Sequence, residues 1–323
     1  MNKLLKKGDK GPEVVRLQKI LNVIPDGKFG PQTEKAVMRF QLEKQLVVDG
    51  IVGNNTWHML SLSKSDGEAI DEDSDIMSQH FETQYDQLIH RYYLDKNEYL
   101  QRKGKNEYCF LHHTAGRENP YRVIDHWNKD TRGRVATEFV IGGQSHKGTP
   151  PEYDGVVVQA FPEGGYGWHL GIGNNIMHRA SVGIEVNNFG FLTEGGYYKR
   201  VNGIKTWIKK TPDKFYTYVG TEALDSQVVE LDEPFRGFKH WHRYSDKQIA
   251  ELKKLLLFIA DRDNIDVRKG LPQLIKEKGV EAFNTCSVSM CQDTKGLWTH
   301  TNCRTTKVDM FPQEELIEML LSL

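Results

Sequence analysis

Tyr108-Cys109-Phe110-Leu111-His112-His113-Thr114 is the stretch on which the reading of this chain turns. Four consecutive apolar residues followed by two imidazoles read as a buried strand whose end carries chemistry. Successive strand residues point to opposite faces, so only one of His112 and His113 is expected to face a given site.

The sequence around this stretch alternates between strand and helix signals. Asn119 is placed to cap a helix opened by Pro120, with Val123, Ile124 and Trp127 turned inward. Phe139-Val140-Ile141, Val156-Val157-Val158 and Val182-Gly183-Ile184-Glu185-Val186 read as further strands. Ser245-x-x-Gln248 forms a capping box ahead of Ile249, Leu252, Leu256 and Ile259. A last helix is expected after Pro312, with Leu316, Ile317 and Leu320. The implied fold class is α/β, a central mixed β-sheet flanked by helices.

Residues 1–62 read differently. Asp26-Gly27-Lys28-Phe29-Gly30 is echoed by Asp49-Gly50-Ile51-Val52-Gly53, each a tight glycine turn leading into a helix. Pro12 and Pro31 open two helices, and Asn54 or Asn55 can cap a third that carries Trp57 and Leu60. A small three-helix N-terminal domain is expected, with ten basic and six acidic residues. Between the domains, 63–80 is rich in acidic residues and serine, as a solvated linker would be. Asp71, Asp73, Asp75 and Glu82 fall at calcium-loop spacing, but Ile76 stands where the sharp turn needs glycine, so no calcium site is expected. The second domain is then 81–323.

Lys plus Arg is 43 and Asp plus Glu is 44, a net charge of −1 that argues against a general nucleic-acid binder. No apolar run approaches the ~20 residues that span a bilayer, so membrane insertion is not expected. No secretory signal peptide is readable after Met1, which suggests a protein made in a cytoplasm. In that compartment Cys109, Cys286, Cys291 and Cys303 are expected as thiols.

The segment from Trp298 to Asp309 places a second imidazole, a lysine and a carboxylate in one loop: His300, Lys307 and Asp309. Catalytic zinc sites use three protein ligands and leave the fourth position to water. His112 or His113, His300 and Asp309 meet that requirement. Glu185, a lone carboxylate in an apolar strand, is the outstanding candidate for proton transfer.

Four motifs, Phe110-Leu111-His112-His113-Thr114-Ala115, Gly167-Trp168-His169-Leu170-Gly171, Ser181 through Val186, and His300 through Asp309, resemble zinc-dependent N-acetylmuramoyl-L-alanine amidases. These type-2 amidases share their fold with peptidoglycan recognition proteins. The resemblance runs from about 105 to 315, with insertions. Residues 1–62 resemble the peptidoglycan-binding domain of many cell-wall hydrolases, through Gly11-Pro12-Glu13-Val14, Leu17-Gln18, the two Asp-Gly turns, Ala36-Val37-x-x-Phe40-Gln41 and Thr56-Trp57.

The resemblance implies a Zn2+ cofactor held by His112, His300 and Asp309, with Glu185 and Lys307 catalytic. It places His169, with His113 and Trp168, on the substrate side. Many relatives carry a tyrosine on the strand that here reads Val135-Ala136-Thr137-Glu138-Phe139, so proton transfer would fall to Glu185. Cys303, three residues from His300, is the rival third ligand, but the lysine two residues before Asp309 favours the carboxylate. The aromatic insertion 190–238, including Tyr197, Tyr198, Trp207 and Tyr218, would stack on sugars or fill a local core; core filling is the commoner use and is expected here.

The implied activity is hydrolysis of the amide joining N-acetylmuramic acid to L-alanine. The implied partner is bacterial peptidoglycan, and the expected assembly a monomer. A phage endolysin fits this pattern, held in the host cytoplasm and then acting on the wall. The alternatives are a non-catalytic peptidoglycan recognition protein and a zinc endopeptidase acting within the stem peptide.

Overall fold

The computed structural model describes residues 3–21, 23, 25–44, 46–62, 85–145, 151–173 and 175–323. The expected acidic linker 63–80, and the calcium-loop spacing within it, lie outside the described residues. The chain divides into two compact units, one ending at Leu88 and the other beginning at Ile89.

The small unit is built on helices α1 (Pro12–Ile20), α2 (Pro31–Glu43) and α3 (Asn54–Leu62). Val14, Leu17, Phe29, Val37, Val52, Trp57 and Leu60 form its core. The sequence echo reappears here as a duplicated hydrogen-bond network. Gln18 Nε2 donates to the Asp26 carboxylate, the Lys28 carbonyl and Thr33 Oγ1, while its Oε1 accepts from the Gly27 amide. Gln41 repeats each bond with Asp49, Ile51, Thr56 and Gly50. Gly27 and Gly50 hold φ of +70° and +71°, a left-handed conformation open to glycine at no steric cost. Each buried glutamine amide thus satisfies a whole turn that would otherwise leave its polar groups unpaired.

The large unit carries a six-stranded mixed sheet. Its strands are β1 (His90–Arg91), β2 (Tyr108–His113), β3 (Phe139–Ile141), β4 (Val157–Gln159), β5 (Ser181–Val186) and β6 (Gly296–Thr299), in the order β1-β4-β3-β5-β2-β6. Only β3 and β4 pair antiparallel; the other neighbours run parallel. β2 is buried along its whole length, as its apolar run requires. The fourth strand runs one residue later than its valines suggest.

Helix α4 (Pro120–Trp127) is capped by Asn119, whose side chain accepts from the amides of Tyr121 and Arg122. Ile124 and Trp127 pack with Val140 and Val158 on one face of the sheet. Helix α5 (Asp246–Asp263) starts at the Ser245–Gln248 capping box and lies on the other face, where Arg262 stacks over Phe139. There Arg262 pairs with buried Glu138 at 2.7 Å and with Asp263 at 2.6 Å. The final helix, α6 (Glu314–Leu321), buries Leu316 and Leu320. All four cysteines carry free thiols. Among the described residues no helix is long and apolar enough to cross a membrane.

The insertion corrects one expectation. It folds largely as two hairpins, Gly196–Val201 with Ile204–Lys209 and Val228–Phe235 with Phe238–His242. Tyr216 is buried, but Tyr198, Trp207 and Tyr218 are 49%, 40% and 46% exposed. A two-stranded ribbon has two faces and one core to rest on, so the face that carries Tyr198 and Trp207 is left outside.

Replacing Gln41 with Ala leaves the Gly50 amide and the Asp49 carboxylate without their buried partner. The small unit should lose about 1–3 kcal/mol, seen as faster hydrogen exchange at Gly50 and Ile51 while amides of the large sheet keep their protection.

Candidate metal centre

Parallel pairing puts the carboxyl ends of β2, β5 and β6 side by side, where sites of open α/β sheets lie. His112 is the register partner of Glu185, so the two side chains share a face. Leu111 pairs with Thr299, which sets His300 at the next step beyond the end of β6. The chain then turns through Lys307 and returns with Asp309.

Three donor atoms meet there. His112 Nδ1 lies 3.0 Å from His300 Nδ1 and 3.4 Å from Asp309 Oδ2, and His300 Nδ1 lies 2.9 Å from the same oxygen. A tetrahedral zinc with ligands at 2.0–2.1 Å sets its donors roughly 3.3 Å apart. All three residues are at least nine-tenths buried. Among the described residues they are the one group of His, Cys, Asp and Glu arranged to hold a metal ion.

Electrostatics keep the donors available. Burial, with the neighbouring His300, pushes His112 down to about 4, so its ring is neutral and its lone pair free near pH 7. Burial alone would raise the Asp309 carboxyl, but hydrogen bonding to the two imidazoles holds it below the usual carboxylate range. Glu185 goes the other way. Burial and the charge of Asp309 raise it well above an ordinary glutamate, and its Oε2 is buried with no hydrogen-bond partner. An orphaned carboxyl oxygen beside three converging donors fits a site completed by a metal and a reacting group.

Outer contacts set each ring's tautomer. With a metal held, the Leu170 carbonyl, 2.8 Å from His300 Nε2, would take that ring's N–H and leave Nδ1 to the metal instead of to Asp309. His112 Nε2 lies 2.9 Å from His169 Nδ1, and His169 Nε2 lies 2.8 Å from Ser181 Oγ. One proton arrangement satisfies this chain with Nδ1 of His112 unprotonated: each Nε2–H donates, to His169 Nδ1 and Ser181 Oγ in turn. Gly183 makes room for it, since a Cβ there would lie 3.1 Å from His169 Nδ1 and 2.7 Å from Thr137.

The cleft around the donors measures about 620 Å3. Glu185, His169 and Lys307 line it, with Arg117 and Arg122 from either side of Asn119 in the chain and Tyr218 from the insertion.

A family model described as N-acetylmuramoyl-L-alanine amidase matches residues 102–303, well over half of the chain. The chain belongs to this amidase family. A second model, a peptidoglycan-binding domain, matches residues 10–60. The amidase match stops at Cys303, before Lys307 and Asp309, yet the fold returns both to the cleft. Among solved structures the chain is similar to PlyL, at 12% identity over 68% of this chain and 85% of that one, with a TM-score of 0.34. A Burkholderia AP3 phage endolysin is 32% identical over 25% of this chain and 33% of its own, with a TM-score of 0.19. A fused Zn-dependent amidase/peptidase/peptidoglycan-binding protein of Clostridium acetobutylicum is 28% identical over 28% and 45%, also at 0.19.

The amidase's structure separates the sequence candidates into groups. His112, His300, Asp309, Glu185 and Lys307 share the cleft. His113 borders it, but its ring turns to the opposite face, with Nδ1 2.8 Å from Tyr244 and Trp241 and Phe311 alongside. Trp168 packs edge-on between Tyr166 and His178, outside the cleft lining. His169, expected on the substrate side, spends both ring nitrogens on His112 and Ser181. Cys303 turns to the His300 carbonyl, and burial raises its thiol to about 12. Thr137 is used locally, donating to the Phe139 carbonyl. Sequence reasoning misses Arg117 and Arg122 as site residues, because nothing in their local pattern distinguishes them from ordinary surface side chains, and it reads Tyr218 only as one of the insertion's aromatics, where core filling is expected.

Two expectations follow. His169→Phe removes the acceptor for His112 Nε2–H, and zinc affinity measured against a competing chelator should fall by about 10–100-fold, with Ser181→Ala milder. Burial also holds His113, His178 and His242 at about 4, against 6.5 for a free imidazole. The unfolded chain therefore takes up protons that the native state refuses. Thermal stability should fall progressively as pH drops from 6.5 towards 4, and the midpoint of metal-free protein measured across that window checks it.

Proposed function

We propose that this amidase is zinc-dependent and cleaves the amide between N-acetylmuramic acid and the L-alanine of the stem peptide, with the small unit holding the wall. The observation that carries the reading is the convergence of His112, His300 and Asp309 with a buried, unpaired Glu185 and a nearby lysine in one cleft. His112, His300 and Asp309 would hold the ion. When bound, zinc supplies Lewis acidity, polarising a carbonyl and lowering the pKa of water.

The protein's own residues supply the remaining chemistry. Glu185, with its raised proton affinity, accepts a proton from the attacking water at Oε2 and delivers it to the amide nitrogen as the C–N bond breaks. Lys307 places a positive charge where the carbonyl oxygen becomes anionic. His169 and the Leu170 carbonyl keep the two imidazoles oriented, so no reorganisation is needed during the reaction. Arg117 and Arg122 offer cations to the carboxylates of a stem peptide.

Joining a wall-holding unit to a catalytic one raises the local concentration of cleavable bonds, which suits a lytic enzyme of the endolysin kind. The protein is read as a monomer that meets its substrate at the bacterial wall.

Purified peptidoglycan digested with the enzyme should yield new L-alanine amino termini and free lactyl carboxyls. Chelator and His300→Ala should abolish both. Glu185→Gln should lower kcat by about 10²–10⁴ with metal content unchanged. New reducing sugar ends, or termini within the stem peptide, would instead mark a glycosidase or an endopeptidase, and product formation indifferent to chelation would remove zinc from the scheme.

A further inference from the structure

The hairpin Gly196–Val201/Ile204–Lys209 closes through Asn202 and Gly203, whose φ of +49° and +82° suit a tight two-residue turn. Residues 196–210 hold five cations, Lys199, Arg200, Lys205, Lys209 and Lys210, and no carboxylate. Register decides what shares a face. Tyr198 pairs with Trp207, Arg200 with Lys205, and Gly196 with Lys209. One side of the ribbon therefore presents Tyr198 and Trp207 together with Arg200, Lys205 and Lys209, all of them exposed.

This face is ordered but unpartnered. The rings of Tyr198 and Trp207 lie 4.9 Å apart, and Lys205 Nζ sits 4.3 Å from the Tyr198 ring centre. Trp207 folds back over Gly196, where a Cβ would lie 2.7 Å from the indole. Two cations directly opposite one another, Arg200 and Lys205, weaken the hairpin's own pairing. Among the described residues none of the five cations has a carboxylate partner. A charge arrangement that opposes the hairpin's own stability calls for an anion from outside.

The opposite face ties the hairpin to the cleft. Tyr197 packs on Gly220, where a Cβ would lie 2.4 Å from its ring. Two residues earlier, Tyr218 donates to the Ala115 carbonyl at 2.7 Å, and both line the cleft. The hairpin is thus anchored beside the proposed catalytic site through Tyr197, with its aromatic and basic face turned away from that anchor.

We propose that the face of Tyr198, Arg200, Lys205, Trp207 and Lys209 docks peptidoglycan outside the scissile amide, resting on the substrate reading above. The two rings stack against sugar faces, and the cations pair with stem-peptide carboxylates. Peptidoglycan fits because it brings rings and carboxylates together, and because the ribbon is anchored beside the cleft proposed to take its amide.

The test uses the full chain stripped of metal, so that binding is separate from cleavage. Its retention on insoluble peptidoglycan, freed of phosphate-bearing polymers by acid, is compared with that of Tyr198→Ala/Trp207→Ala and Arg200→Gln/Lys205→Gln/Lys209→Gln. Each variant should bind at least about fivefold more weakly, with Trp207→Phe near wild type. With zinc restored, both should cleave a short soluble muramyl-peptide at the wild-type rate.

Unchanged retention would overturn the proposal. So would a loss seen only on walls still carrying phosphate polymers, or only on vesicles of equal phosphatidylcholine and phosphatidylglycerol. An equal loss on the soluble fragment would place these residues in cleft structure and overturn it too. Failure of the wild type to release L-alanine amino termini would strike the substrate reading and leave the retention result standing.

Discussion

Parallel pairing of β2 with β5 on one side and β6 on the other is the constraint on which the rest of the large unit depends. It fixes His112 opposite Glu185 and sets His300 one step beyond the pair Leu111–Thr299. Because side chains alternate, a one-residue slip in either pairing would turn Glu185 or His112 to the wrong face. The all-buried β2 resists such a slip, since every side chain would have to repack in the opposite layer and the imidazoles would change faces. The placement of His112, Glu185 and His300 is thereby held by the hydrophobic core, while Asp309 arrives on the loop that follows.

The same arrangement has an electrostatic cost. His112, His169 and Glu185 are buried, and each is shifted towards its neutral form. Three donors converge, while Glu185 Oε2 is left without a partner. A core selected for stability alone would replace such a cluster with packed apolar side chains. Retaining it is consistent with a site whose polar atoms are completed by a metal and a substrate.

The two units solve a common problem at different scales. In the small one, Gln18 and Gln41 each satisfy a complete turn, so few apolar residues suffice for a defined core. In the large one, the Arg262–Glu138 pair beneath the sheet and the His112–His169–Ser181 chain above it do comparable work with charged and aromatic groups. The insertion departs from both patterns. Its exposed ribbon keeps aromatics and cations at the surface, where core formation gives them no reason to be.

Much of this was legible in the amino-acid order. The Tyr108–His113 run, the Asn119 and Ser245 caps, the duplicated Asp-Gly turns and the odd carboxylate of Glu185 each carry a local signal, because strand burial, capping and turns depend on neighbours in sequence. Local order also established that only one imidazole of the pair faces the site. Which partners that imidazole would meet, and that His169 would brace it while His113 and Trp168 packed elsewhere, was decided only by the tertiary structure. Sheet register and chain return act across nearly two hundred residues, and alternation along a strand cannot say which face a distant strand will share. The exposed face of the hairpin belongs to the same class, since a ribbon's outer side is defined only by what its inner side is packed against.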